Sequence, residues 1–184
     1  MTRIVLTFGL IAGGILSAMM LVSWRFIEQL GLDRSAVVGY TTMVLAFLLV
    51  FFGVRSYRDQ VAGGSIDFGR AFRVGLLISL VASACYVATW EFVYYRMAPD
   101  FGERYAAMVI ERARASGATQ AELDATAREM ARFQEMYRNP LVNVAYTFLE
   151  PLPVALVMSL VSAGILRRRR PDGVRVLDGA RAAS

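Results

Sequence analysis

The sequence predicts an all-α integral membrane protein, a four-helix bundle with an extramembrane helical hairpin between its third and fourth spans. Three observations carry that reading. Uncharged runs occupy 4–24, 36–54, 74–90 and 141–166, the last interrupted only by Glu150. The chain is 57% hydrophobic with a mean hydropathy of +0.47, where a soluble domain has roughly half apolar residues or less. The stretch 96–140 is too polar for lipid, yet it carries helical periodicity and helix-end signals.

Composition removes several chemistries. There is no His, and all twenty basic residues are Arg. Without His there is no Ser-His or Cys-His nucleophile pair and no imidazole metal site; without Lys there is no P-loop and no Schiff base. The one Cys, Cys85, lies in an apolar run and forms neither an internal disulfide nor a Cys-rich zinc site. The expectation is therefore a non-enzymatic protein with no metal, no cofactor and no nucleic-acid partner.

The first run has 21 residues, and about 20 helical residues cross a hydrocarbon core roughly 30 Å thick. Its core exceeds the 7–15 residues of a secretory leader and no A-x-A site follows, so 4–24 reads as a retained span. Gly9, Gly13 and Ser17 recur every four residues and line one face. Lipid tails are as apolar as leucine, so such a stripe serves close helix packing. The second span covers 36–54.

A loop with the chain's most distinctive local sequence follows. Arg55 and Arg58 end the outgoing helix, where cations suit the negative dipole end, and Asp59 follows them. Gly63-Gly64 supplies the turn, and Ser65 or Asp67 caps the next helix. Arg55, Arg58, Arg70 and Arg73 near that helix N-terminus form an alternative anion site, although membrane anchoring already accounts for them.

The third span, 74–95, passes Glu91 and ends in Phe92, Tyr94 and Tyr95, aromatics expected at a headgroup boundary. Gly75, Ser79 and Ser83 repeat the small-residue stripe. Shifting the first span by 66 positions pairs Gly9 with Gly75, Ser17 with Ser83, Trp24 with Trp90 and Phe26 with Phe92. Such a repeat relates two hairpins by an axis along the membrane normal.

Within 96–140, Asp100 opens one helix that ends at Ala115-Ser116-Gly117, and Thr119 with Glu122 forms a capping box for a second. Asn139-Pro140 ends it. The fourth span covers 144–166, with Pro151 and Pro153 kinking it or making Pro151 a helix start. Glu91 lies 18 positions after Arg73, and Glu150 lies 17 before Arg167. Both therefore sit about 26 Å from the basic side, near the far boundary of the core. Arg25 falls at the same level and is a candidate ion-pair partner for Glu91. Glu150 reads as a cap or interface residue.

Both ends of a four-span chain lie on one side. That side carries eleven arginines against four acids: Arg3, Arg55, Arg58, Arg70, Arg73, the run at 167–170, Arg175 and Arg181. Seven of the other nine lie in the long third loop, which the positive-inside rule discounts. The expectation is a membrane domain at 1–170 with a disordered cytoplasmic tail at 171–184. Both termini are cytoplasmic in a bacterial inner membrane, and the 96–140 loop is periplasmic.

The segments R-S-Y-R-D at 55–59 with its G-G-S-I-D-F-G continuation, G-L-L-I-S-L-V-A-S opening the third span, and the closing L-V-M-S-L-V-S-A-G-I-L-R-R resemble a bacterial family of small four-span membrane proteins. This is the domain of unknown function catalogued as number 4199. The resemblance covers roughly 5–170 and implies a four-helix membrane protein with a helical third loop. It implies no activity, and no catalytic residue transfers.

Three function classes fit. A scaffold or accessory subunit would use the small-residue faces and outer hairpin, with the bilayer and a second copy or another membrane protein as partners. A small transporter or proton-coupled carrier would use Glu150 and the kinked helix. A membrane enzyme would have to work with carboxylates, Ser and Tyr alone. The scaffold reading accounts for the most residues.

Orientation is testable by thiol labelling in a Cys85→Ala background. A membrane-impermeant reagent should label Ser116→Cys and spare Gly64→Cys in intact cells; the reverse pattern overturns the assignment.

Overall fold

The computed structural model describes residues 1–167, excepting the side chains of 24–33. Every regular element within it is helical. The expectations for Trp24, Arg25, Phe26, the arginines at 168–170, Arg175, Arg181 and the tail lie outside the described residues. The helices are α1 (Thr2–Gln60), α2 (Phe68–Phe92), α3 (Phe101–Ala115), α4 (Gln120–Tyr137), α5 (Pro140–Leu149) and α6 (Leu152–Leu166), with a π-helical turn at Val93–Met97.

Four stretches are long and apolar enough to cross a membrane: Thr2–Ser23, Arg34–Gln60, Phe68–Met97 and Pro140–Leu166. They outrun the uncharged segments because backbone hydrogen bonding continues into polar turns. Asp67, for example, starts α2 by accepting from the Arg70 backbone N–H at 2.9 Å. That bond holds the Asp67 carboxyl below the usual carboxylate range. Gly63 and Gly64, with φ of +66° and +83°, make the turn before it.

The contacts fix the directions of the stretches. The Phe8 ring lies beside Gly53, whereas one straight helix would separate these residues by roughly 65–70 Å. The two stretches of α1 therefore run antiparallel. Gly9 faces Val81, Gly13 faces Cys85, and Ser17 lies 2.7 Å from the Thr89 hydroxyl. The spacing along the chain is the same in all three pairs, so the first and third stretches run parallel. Ser79 meets Ser159 at 3.3 Å and Tyr86 meets Glu150 at 2.9 Å, so the third and fourth run antiparallel.

Packing is close where small residues allow it. A Cβ on Gly9 would lie 2.6 Å from Val81 Cβ, and one on Gly13 2.6 Å from Cys85 Cβ. Gly75 instead meets Val50 and Ser159, so the two stripes aligned by the 66-residue shift serve different neighbours. Ser83 is buried. The interior holds Ser79, Ser83, Ser159, Ser162, Asn143 and Thr147 alongside an apolar core that includes Phe47, Val50, Val54, Val74 and Ile78, whereas Leu10, Leu45, Phe52, Val157, Val161 and Ile165 face outward. An apolar outer face on the long stretches, with small hydroxyl residues at the helix contacts, departs from a water-soluble helical protein and suits lipid.

The connection between the third and fourth stretches is helical. Thr119 and Glu122 form the reciprocal capping box, which holds the Glu122 carboxyl below its ordinary range through the Thr119 backbone N–H. α3 lies against α4, with Gln134 Nε2 donating to the Gly102 carbonyl at 2.9 Å.

Gly13→Leu and Ser79→Leu should each destabilise the protein by about 1–3 kcal/mol or more, because the new side chains enter occupied space. Gly14→Leu is the control, since a Cβ there meets nothing within 4 Å. Thermal melting in detergent checks this; equal melting of all three variants would remove the packing account.

Candidate functional site

Two polar groups lie close together at the end of the helices away from the N-terminus. The first surrounds Glu150. α5 stops at Leu149 and α6 begins at Leu152, because Pro151 and Pro153 have no N–H to offer the carbonyls four residues earlier. Glu150 takes the C-terminal cap position of α5 with helical backbone angles. This corrects the expectation of a helix cap in one respect: Pro151, not Glu150, is the N-terminal cap of α6, and no side chain bonds there. The carboxylate turns to the third stretch instead, where the Tyr86 hydroxyl donates to Glu150 Oε2 at 2.9 Å.

Glu150, Tyr86 and Trp90 border a cavity of about 150 Å³ between the four stretches. Its walls are largely apolar, with Met19, Met20 and Met43 among them, and it also receives Ser35 and Thr42. Thr42 donates to its own helix at Val38 O, 2.8 Å away. The buried Ser35 Oγ has no hydrogen-bond partner.

The second group centres on Asn143, which is 0% exposed. The Trp90 Nε1–H is shared between Tyr137 Oη at 3.0 Å and Asn143 Oδ1 at 3.1 Å. An indole N–H only donates, which fixes which end of the Asn143 amide faces it. Thr147 Oγ1 donates to the Asn143 carbonyl at 2.9 Å and lies 3.3 Å from Tyr137 Oη. Burial pushes the Tyr137 phenol up. Asn143 Nδ2 is buried with no partner. Around this group pack Tyr94, Phe101, Phe133 and Tyr146, with ring centroids of successive neighbours 4.9–6.4 Å apart. Offset and edge-on aromatic pairs at such distances add to area burial.

The remaining predicted residues sit apart from these groups. Glu91 is half-buried and its Oε1 has no hydrogen-bond partner; the side chain of Arg25, its expected ion-pair partner, lies outside the described residues. At the opposite end of the helices, Asp59 approaches Arg58 Nε at 2.7 Å and Arg55 Nε at 3.7 Å. Asp67 stands 4.0 Å from Arg70. An external anion there has to compete with two carboxylates, so the geometry favours anchoring over anion capture. Among the described residues no three His, Cys, Asp or Glu are grouped to hold a metal ion.

Sequence reasoning did not find the Trp90–Tyr137–Asn143–Thr147 group or the Tyr86–Glu150 bond. The available signals were a Trp next to a membrane-boundary acid and an Asn inside an apolar run. Neither identifies a partner on another helix.

Trp90→Phe should cost about 1–3 kcal/mol by leaving buried acceptors without a donor. Hydrogen exchange should rise in α3 and α4 more than in α2. A uniform change across the chain would show that the indole does not tie these helices to the spans.

The family model described as Protein of unknown function (DUF4199) matches residues 7–168. No curated protein and no solved structure matches. Since the match takes in most of the first apolar stretch, the other three, α3, α4 and both polar groups, the chain belongs to the DUF4199 family.

Proposed function

We propose that this chain is a bacterial inner-membrane protein whose spans form a four-helix bundle with both termini cytoplasmic. In this reading α3 and α4 form a periplasmic hairpin, and the protein is a non-enzymatic scaffold or accessory subunit. The supporting observation is the way α3 and α4 are held. The shared Trp90 N–H, Tyr137, Asn143 and the surrounding rings tie a polar two-helix unit to the ends of the third and fourth spans. Orienting a surface this firmly suits presentation to a partner, a second copy or another membrane protein. The small-residue stripes serve contacts within the chain, which leaves the hairpin as the assembly surface.

A second reading, a small transporter or proton-coupled carrier, is favoured by one observation. Glu150 lies at a break in a spanning helix and opens on a cavity, an arrangement found at transporter sites.

A photo-crosslinker at exposed Ala125 should capture one discrete species in cells, with a yield that falls when Trp90→Phe loosens the hairpin. Capture at buried Leu123 should be absent. A yield indifferent to Trp90→Phe argues against the scaffold. Under the scaffold reading Glu150→Gln complements nearly normally, since Gln keeps an acceptor for Tyr86. Complete loss of complementation at normal abundance promotes the carrier.

A further inference from the structure

We propose that the cavity beside Glu150 is a binding site for a small organic monocation, a primary alkylammonium of about six non-hydrogen atoms. This deepens the carrier reading, but as a binding site it stands whether or not anything is carried.

The electrostatics select the sign of the ligand. Glu150 places a carboxylate on the cavity between the end of α5 and the start of α6, where the two helix dipoles oppose each other and the side-chain charge sets the sign. Pro151 and Pro153 withhold the backbone donors that would otherwise neutralise the last carbonyls of α5. An anion is repelled there. A neutral apolar ligand would leave Glu150 with Tyr86 as its donor among the described residues and Ser35 Oγ with none, and unsatisfied polar groups in a low-dielectric site are costly.

The walls select the kind of cation. A hard metal ion wants several oxygen ligands, six to eight for calcium, and among the described residues no three His, Cys, Asp or Glu are grouped to hold one. The lining instead couples one carboxylate and the hydroxyls of Ser35, Thr42 and Tyr86 to Met19, Met20, Met43 and the Trp90 ring. An ammonium head has three donors for the oxygen atoms. Its short alkyl tail suits the methionines, whose flexible thioethers adapt to irregular shapes, and the indole face attracts cations. A volume of about 150 Å³ matches a ligand near the size of benzene, which sets the atom count.

The test uses full-length protein in nanodiscs with butylammonium as probe, titrated by calorimetry and by Trp fluorescence. Butylammonium should bind saturably at one site per chain, while 1-butanol, butyrate and sodium should bind at least tenfold more weakly. Glu150→Gln should weaken butylammonium by about tenfold to a hundredfold, the range for losing a charged hydrogen bond. Gly39→Leu is the independent variant. Gly39 lines the cavity, and a Cβ there meets nothing within 4 Å, so the side chain should fill the site and abolish binding without lowering the melting temperature. Equal binding of butylammonium and 1-butanol, or binding unchanged in a folded Gly39→Leu, overturns the proposal. So does binding that appears only in Arg25→Ala, which would make the protein's own guanidinium the occupant. Proteoliposome flux of the same probe tests the carrier separately, since binding without flux removes the carrier and keeps the site.

Discussion

The near-contact of the first and third spans supports the rest of the architecture. Gly9 and Gly13 lack side chains where Val81 and Cys85 lie, and only that absence lets two helix backbones run side by side in the same direction. In lipid no hydrophobic gain draws helices together, so close packing and buried hydrogen bonds must do so. The approach brings Ser17 against Thr89. It also leaves Tyr86, one turn before Thr89, where its hydroxyl reaches the fourth span. The Trp90 contacts with Tyr137 and Asn143 lie just beyond Thr89 on the same helix.

The third span is the hub of this arrangement. The first span covers its Val81 and Cys85 face, the second covers Ile78 beside Gly53, and the fourth covers Gly75 and Ser79. Its last turns carry Tyr86 and Trp90 into the two polar groups. A π-helical turn at Val93–Met97 follows. Such turns occur often near functional sites, and this one ends the helix, with Ala98 leaving the helical region. Here it lies between Trp90 and Phe101, whose rings meet edge to face at 4.9 Å, so it shapes the exit from the spans into α3.

Much of this was legible in the sequence because lipid imposes long-range order on composition. Uncharged runs of spanning length, the Thr119–Glu122 box, the Gly63-Gly64 turn and the break at Pro151 each depend on neighbours within a few residues, and each appears where the residues say. The ends of the spans were less legible, since hydropathy marks the apolar core and not the hydrogen-bonded turns beyond it. Least legible were the cross-helix partners. Trp90 reaches Asn143, and Glu150 turns from its own helix ends to Tyr86. Sequence spacing carries no trace of those choices, because they depend on which helix faces which. The shared small-residue stripes of the first and third spans likewise gave no hint that one faces the third span and the other the second and fourth.

The interruption of the fourth span bears on how the protein is made. α6 has fifteen residues, about 22 Å of helix, which is shorter than the roughly 30 Å hydrocarbon core. It cannot cross alone. Entry into the bilayer therefore requires α5 to accompany it, and that carries Glu150 and the carbonyls to which the prolines cannot donate into an apolar medium together. The fourth span emerges from the ribosome after the third, so Tyr86 and Trp90 precede it. Glu150 and Asn143, polar groups that make this segment a poor solitary span, are the ones that Tyr86 and Trp90 of the third span receive. Membrane insertion and tertiary assembly of this segment are, on that account, a single event.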